Sequence, residues 1–112
     1  KWNNQFKFIA VPKNIDPSWM GLPILISERF KERKKRFINY LDKIGIETRP
    51  IISGNFANQP AAKLYELCKK NEKFENSQKV QDLGFLIGLH TKKISKNSLK
   101  LIHDAFFMID QI

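Results

Sequence analysis

The sequence predicts an α+β domain, with a small, mostly antiparallel sheet of three to four strands and about three helices packed on it. Short apolar runs such as "LPILI" and "FLIGL" have the length of buried strands. Between them lie longer segments whose apolar residues recur every three to four positions, the mark of one-sided helices. Hydrophobic residues at 42% and charged residues at 28% describe a globular chain rather than a disordered one. Its 112 residues show no repeat, no low-complexity tract and no internal linker, so residues 1–112 read as a single domain.

The elements follow in order. "FKFIAVP" alternates Phe6, Phe8 and Ala10 against Lys7, Ile9 and Val11, a strand that ends at Pro12. "KNIDPSWMG" is a turn-rich connection, and "LPILIS" is a second strand. Pro23 has no ladder donor, so it belongs near that strand's start or on a sheet edge. From Glu28 to Ile44 the period becomes helical, with Phe30, Phe37, Ile38, Leu41 and Ile44 forming one stripe. Ser27 is placed to cap this helix and Gly45 to stop it.

"IETRPII" returns to strand character, and Pro60 then opens the helix "AAKLYELCKKN" with Leu64, Leu67 and Cys68 as its apolar stripe. The polar segment "EKFENSQKVQDLG" holds a short helical turn at 78–83. "FLIGLH" is the fourth strand candidate. Ser95 or Ser98 caps a last helix whose Leu99, Ile102, Phe106, Ile109 and Ile112 keep core spacing.

Composition narrows function. No apolar run reaches the roughly 18 residues of a membrane helix, and no signal-peptide pattern is present. Cys68 is the single cysteine, so no intrachain disulfide forms and a reducing cytoplasm fits best. It reads as small buried filler on a helix face. The net charge of +9, from 20 Lys and Arg against 11 Asp and Glu, makes a polyanionic partner worth weighing. Its densest run, "ERFKERKKRF", has no aromatic interleaved on the basic side and reads as a solvated helix face, with Glu32 and Arg36 spaced for an ion pair. No cysteine or carboxylate cluster has ligand spacing around His90 or His103, and His103 beside Asp104 reads as a surface or rim residue. No phosphate loop, dinucleotide fingerprint or nucleophile elbow occurs, so no catalytic residue is assigned.

One stretch stands out. "GIETRPIISGNFANQP" sets Glu47, Thr48 and Arg49 inside a strand, then follows them with a loop richer in amides than a connection requires. With the later "GFLIGLH", the upstream "DPSWMGLPILI" and the helix "RFKERKKRFINYLDKIGIETRP", it resembles the C-terminal small domain of the pyridoxal-phosphate-dependent sugar aminotransferases and dehydratases, the DegT family of fold type I. The resemblance spans about residues 6 to 111.

The resemblance implies an aminotransferase C-terminal-domain-like fold and a longer enzyme of which this chain is a piece, an expectation that the missing initial Met also suggests. Such enzymes bind pyridoxal 5'-phosphate or pyridoxamine 5'-phosphate and act on nucleotide-linked keto sugars for lipopolysaccharide and related polymers. The cofactor is the electron sink, while the protein supplies position and electrostatics. They work as homodimers, and the Schiff-base lysine, or the histidine that replaces it, lies in a large N-terminal domain. No residue here matches it, so this chain alone is expected to be inactive and to hold no cofactor.

By motif match, Arg49, Asn55, Phe56 and Gln59, with Gly54 and Pro60 shaping the loop, are the implied substrate-binding residues. His90 joins them, although Leu89 stands where the family's asparagine is expected. "GNF" with "QP" leans toward the dehydratases. Two rival readings use the same residues: a stand-alone basic α+β module that binds nucleic acid, the less favoured partner, and a structural or dimerising domain with no ligand.

Overall fold

The computed structural model describes residue 2 and residues 4–69 and 72–112. Among these, four strands form one antiparallel sheet: β1 (Phe6–Phe8), β2 (Gly21–Ile26), β3 (Thr48–Arg49) and β4 (Gly84–Gly88), in the order β1-β2-β4-β3. Four α-helices accompany them: α1 (Lys34–Lys43), α2 (Pro60–Leu64), α3 (Glu75–Leu83) and α4 (Lys96–Phe107). The α+β architecture is the expected one, with one helix more.

Register divides the sheet into two faces. Ile24 lies opposite Phe85, and Leu22 and Thr48 lie opposite Ile87, so these side chains share the core face. Phe6, Phe37 of α1, Phe85 and Phe106 of α4 meet there, with ring centroids 4.8 Å apart for Phe6–Phe106 and 6.1 Å for Phe37–Phe85. All four are essentially buried, each contributing about 1.5–3 kcal/mol of burial. The opposite face carries Lys7, Pro23, Leu25, Leu86 and Arg49 and stays partly open.

Several expectations change in detail. β1 stops at Phe8, opposite Ile24, although β2 runs on to Gly21, and Ile9 and Val11 leave the sheet and are exposed. That early stop accommodates Pro23, which sits beyond the β1 ladder and pairs only toward Leu86. The helix after Ser27 begins as a 3-10 segment, Glu28–Arg33. Ser27 does not cap it through its side chain; its hydroxyl instead donates to the Asn4 carbonyl at 2.7 Å. Gly45, at φ 83°, ends α1 as expected.

The larger corrections lie further on. β3 is two residues long, since Pro50 has no N–H to continue the ladder. α2 ends at Leu64, and Glu66 turns the chain with φ 49°. Leu64 and Leu67 are therefore exposed at 74% and 59%, and Cys68 is half-buried in the turn beyond the helix rather than on a helix face. Residues 70 and 71 of the expected helix lie outside the described residues. α3 is a full helix although it buries only Leu83. Ser95, not Ser98, caps α4 by accepting from the Ser98 N–H, and Leu99 is exposed.

The basic run is not simply a solvated face. Lys31 Nζ donates to Asp82 Oδ2 at 2.7 Å and Lys34 Nζ to the Gln81 carbonyl at 2.8 Å, which ties this segment to α3. Arg33 Nη1 donates to the carbonyls of Ile109 and Asp110 at 3.1 and 2.9 Å, satisfying orphan acceptors beyond the end of α4. Glu32 and Arg36 are not among the described ion pairs.

Candidate functional site: an amide loop braced by one helix

Between β3 and α2 the chain makes a compact loop. Ile51 to Gly54 form a turn closed by the Gly54 N–H to the Ile51 carbonyl at 3.0 Å. Its first central residue, Ile52, takes φ 44°, a conformation that favours glycine or asparagine, and is 87% exposed. Ile51 points the other way, toward Gly84, where a Cβ would stand 2.7 Å from its Cδ1.

Asn55 then starts the 3-10 turn Phe56–Asn58, with its Oδ1 accepting from the Ala57 N–H at 3.2 Å. Asn55 is 6% exposed. Its Nδ2 donates to Gln78 Oε1 at 3.0 Å and its backbone N–H to Gln81 Oε1 at 3.1 Å. Asn58 Nδ2 reaches the same two acceptors at 2.8 and 3.2 Å. Gln59 Nε2 donates to the Ser53 carbonyl at 3.2 Å and closes the loop on itself. α3 therefore braces the loop through two glutamines that carry no periodic signal in the sequence.

The predicted site residues fall into four groups. Phe56 and Gln59 lie on the loop, the first exposed and the second half-buried. Asn55 belongs to the loop's interior, with its amide engaged by protein partners. Arg49 lies where β3 enters the loop, on the open sheet face, with Nε and Nη2 both donating to Glu47 Oε1 at 2.9 and 2.8 Å. The side chains of this pair are 69% and 73% exposed, so a competing anion could draw the guanidinium away at little cost. His90 is exposed beyond Gly88, while the loop packs at the Gly84 end of β4. At roughly 3.4 Å per strand residue the two ends are well over 10 Å apart, so the fold does not bring His90 to the loop.

The electrostatics of the brace centre on Asp82. Hydrogen bonds from Lys31 and then Gln78 hold its carboxyl below the usual range, and the same contact raises Lys31. Burial lowers Lys34. That ammonium donates to the Gln81 carbonyl. Among the described residues no cluster of three His, Cys, Asp or Glu is placed to hold a metal ion. No helix there is long and apolar enough to cross a membrane.

The architecture recurs within a larger solved protein. A solved Escherichia coli structure, described as GDP-4-keto-6-deoxy-D-mannose-3-dehydratase with bound hydrated PLP, superposes on 93% of this chain with a TM-score of 0.76 at 19% identity, using 26% of that protein. In sequence, the chain is 28% identical over 87 residues to the lipopolysaccharide biosynthesis protein RfbH of Salmonella typhimurium. It is 29% identical over 76 residues to the GDP-4-keto-6-deoxy-D-mannose 3-dehydratase of Escherichia coli O55:H7. These alignments cover 75% and 67% of this chain but only 20% and 19% of the two relatives, so the chain spans about a fifth of their length. No family model matches it. The chain is a relative of these proteins over a C-terminal stretch of each.

Proposed function

We propose that the chain is the C-terminal domain of a nucleotide-sugar dehydratase that uses pyridoxal or pyridoxamine phosphate, and that its amide loop forms one wall of the sugar-nucleotide site. The observation that carries this reading is the agreement of sequence and fold on the same class of protein. The substrate would be a nucleotide-linked keto sugar of the kind named for the relatives, with the rest of the polypeptide supplying a large N-terminal domain and the cofactor. An aminotransferase is the alternative reaction for the same kind of enzyme, and a DegT assignment, a homodimer and a cytoplasmic location belong to the proposal.

This chain's part in it is binding. Arg49, on the open face, offers a guanidinium suited to a diphosphate. Phe56 and Gln59 offer an apolar surface and an amide suited to a sugar, and Asn55 holds the turn that presents them. A contact from His90 would fall at the opposite end of the domain. Removal of a hydroxyl from the sugar is chemistry that the cofactor supplies when bound elsewhere in the enzyme.

The nucleic-acid reading is less well supported, because Lys31, Arg33 and Lys34 of the basic run are engaged internally. The test is the reading frame upstream of the Lys1 codon, followed by a dehydration assay of the protein it encodes. A large domain with a lysine or histidine at the Schiff-base position, and turnover of a nucleotide-linked keto sugar, are expected. A start codon at this point, or an unrelated upstream domain, would remove the reading.

A further inference from the structure

Three groups converge on Gln78. Its Oε1 accepts from Asn55 Nδ2 at 3.0 Å and from Asn58 Nδ2 at 2.8 Å, while its Nε2 donates to Asp82 Oδ1 at 2.8 Å. Asp82 Oδ2 in turn accepts from Lys31 Nζ at 2.7 Å. A continuous chain of hydrogen bonds therefore runs from the start of the first helical segment, through α3, into the loop.

Both ends of this chain have only one possible direction. A carboxylate can only accept, so Gln78 must turn its NH2 group toward Asp82 and its oxygen toward the loop. The Ala57 backbone N–H can only donate, so Asn55 must turn Oδ1 toward it at 3.2 Å and its NH2 group toward Gln78. The two requirements agree at the Gln78 oxygen. Were that amide reversed, NH2 would face NH2 at both asparagines.

We propose that Asp82 is a positioning residue for the loop. By fixing which way the Gln78 amide points, it holds Asn55 and Asn58 and so sets how Phe56 and Gln59 are presented. The consequence for a ligand rests on the loop's being part of the sugar-nucleotide site; the positioning itself does not.

Substitutions at Asp82 separate this role from simple loss of an ion pair. In Asp82→Asn the new amide must offer its oxygen to Lys31, whose ammonium only donates, and its NH2 to Gln78. Gln78 then has to reverse, and the loop loses both acceptor contacts. Asp82→Ala removes the Lys31 bond as well, yet leaves Gln78 free to keep its oxygen on the asparagines. Adding Gln78→Glu to Asp82→Asn supplies a carboxylate that accepts from the new amide and from Asn55 and Asn58 together.

The experiment follows the side-chain NH2 resonances of Asn55 and Asn58 by NMR, with far-ultraviolet circular dichroism confirming that each variant is folded. Asp82→Asn is expected to move both signals toward free-amide positions and to speed their hydrogen exchange by about tenfold. Asp82→Ala is expected to perturb them less, and the double variant to return them toward wild type. Two outcomes would overturn the proposal: unchanged signals in Asp82→Asn, or Asp82→Ala perturbing as strongly with no recovery in the double variant. Neither outcome bears on whether the chain belongs to a dehydratase.

Discussion

Gly54 lies directly against Gln81. A Cβ on the glycine would stand 2.8 Å from the Cβ of Gln81, and the Gly54 backbone takes φ 62°. Both facts penalise a side chain at this position. Gly54→Ala is expected to cost about 2–4 kcal/mol, combining left-handed strain with overpacking against α3. A urea midpoint within error of wild type would show that the loop does not seat on α3 as described.

The same turn carries strain at Ile52. Ile52 holds a positive φ with a β-branched, 87% exposed side chain, so it accepts a conformational cost without gaining burial. Ile52→Asn is expected to stabilise the chain by about 0.5–1 kcal/mol, because asparagine tolerates this backbone region. Thermal melts of the two proteins measure the difference directly, and a lower melting temperature in the variant would refute it.

Arg33 satisfies two carbonyls beyond the C-terminal end of α4. Truncation to alanine is expected to lose about 1–2 kcal/mol, since the site is only part-buried. Hydrogen exchange should locate the effect, with Ile109 and Ile112 less protected and α3 unchanged.

Asp82 gives a pH dependence with a defined sign. Its folded carboxyl lies below its ordinary value through the Lys31 and Gln78 hydrogen bonds. The stability it contributes is present above the unfolded-state pKa and is lost as pH falls through the folded one. Lys31 works in the other direction, being raised by Asp82, so its share disappears as pH rises through the folded lysine pKa. Denaturation curves collected from neutral pH into acid should fall more gently for Asp82→Asn than for wild type. Parallel acid limbs would contradict the assignment.

Much of the fold was legible because it depends on local pattern. The β2 run Gly21–Ile26, the stripe through Phe37 and Leu41, the stop at Gly45 and the cap at Ser95 each follow from residue type and spacing. α3 was legible only as a turn, because a helix that buries only Leu83 leaves almost no apolar stripe. α2 misled in the other direction, since Leu64 and Leu67 have helical spacing yet remain exposed after the chain turns at Glu66.

The candidate site divides in the same way. The turn residues and the polarity of the loop could be read from Gly54 to Pro60. The role of Asn55 could not, because its partners Gln78 and Gln81 lie more than twenty residues away and hydrogen-bond pairing at that distance leaves no periodicity. The separation of His90 from the loop also required the sheet: only the register of β4 shows that the two occupy opposite ends.

The most direct test of the proposed role is the KM for a nucleotide-linked keto sugar in the enzyme that carries this chain, compared among wild type, Arg49→Ala and Gln59→Ala. A binding wall that does no chemistry should raise KM by about tenfold in each variant while leaving kcat nearly unchanged. An unchanged KM in both variants, in an enzyme that turns the substrate over, would contradict the assignment of this loop to the sugar-nucleotide site.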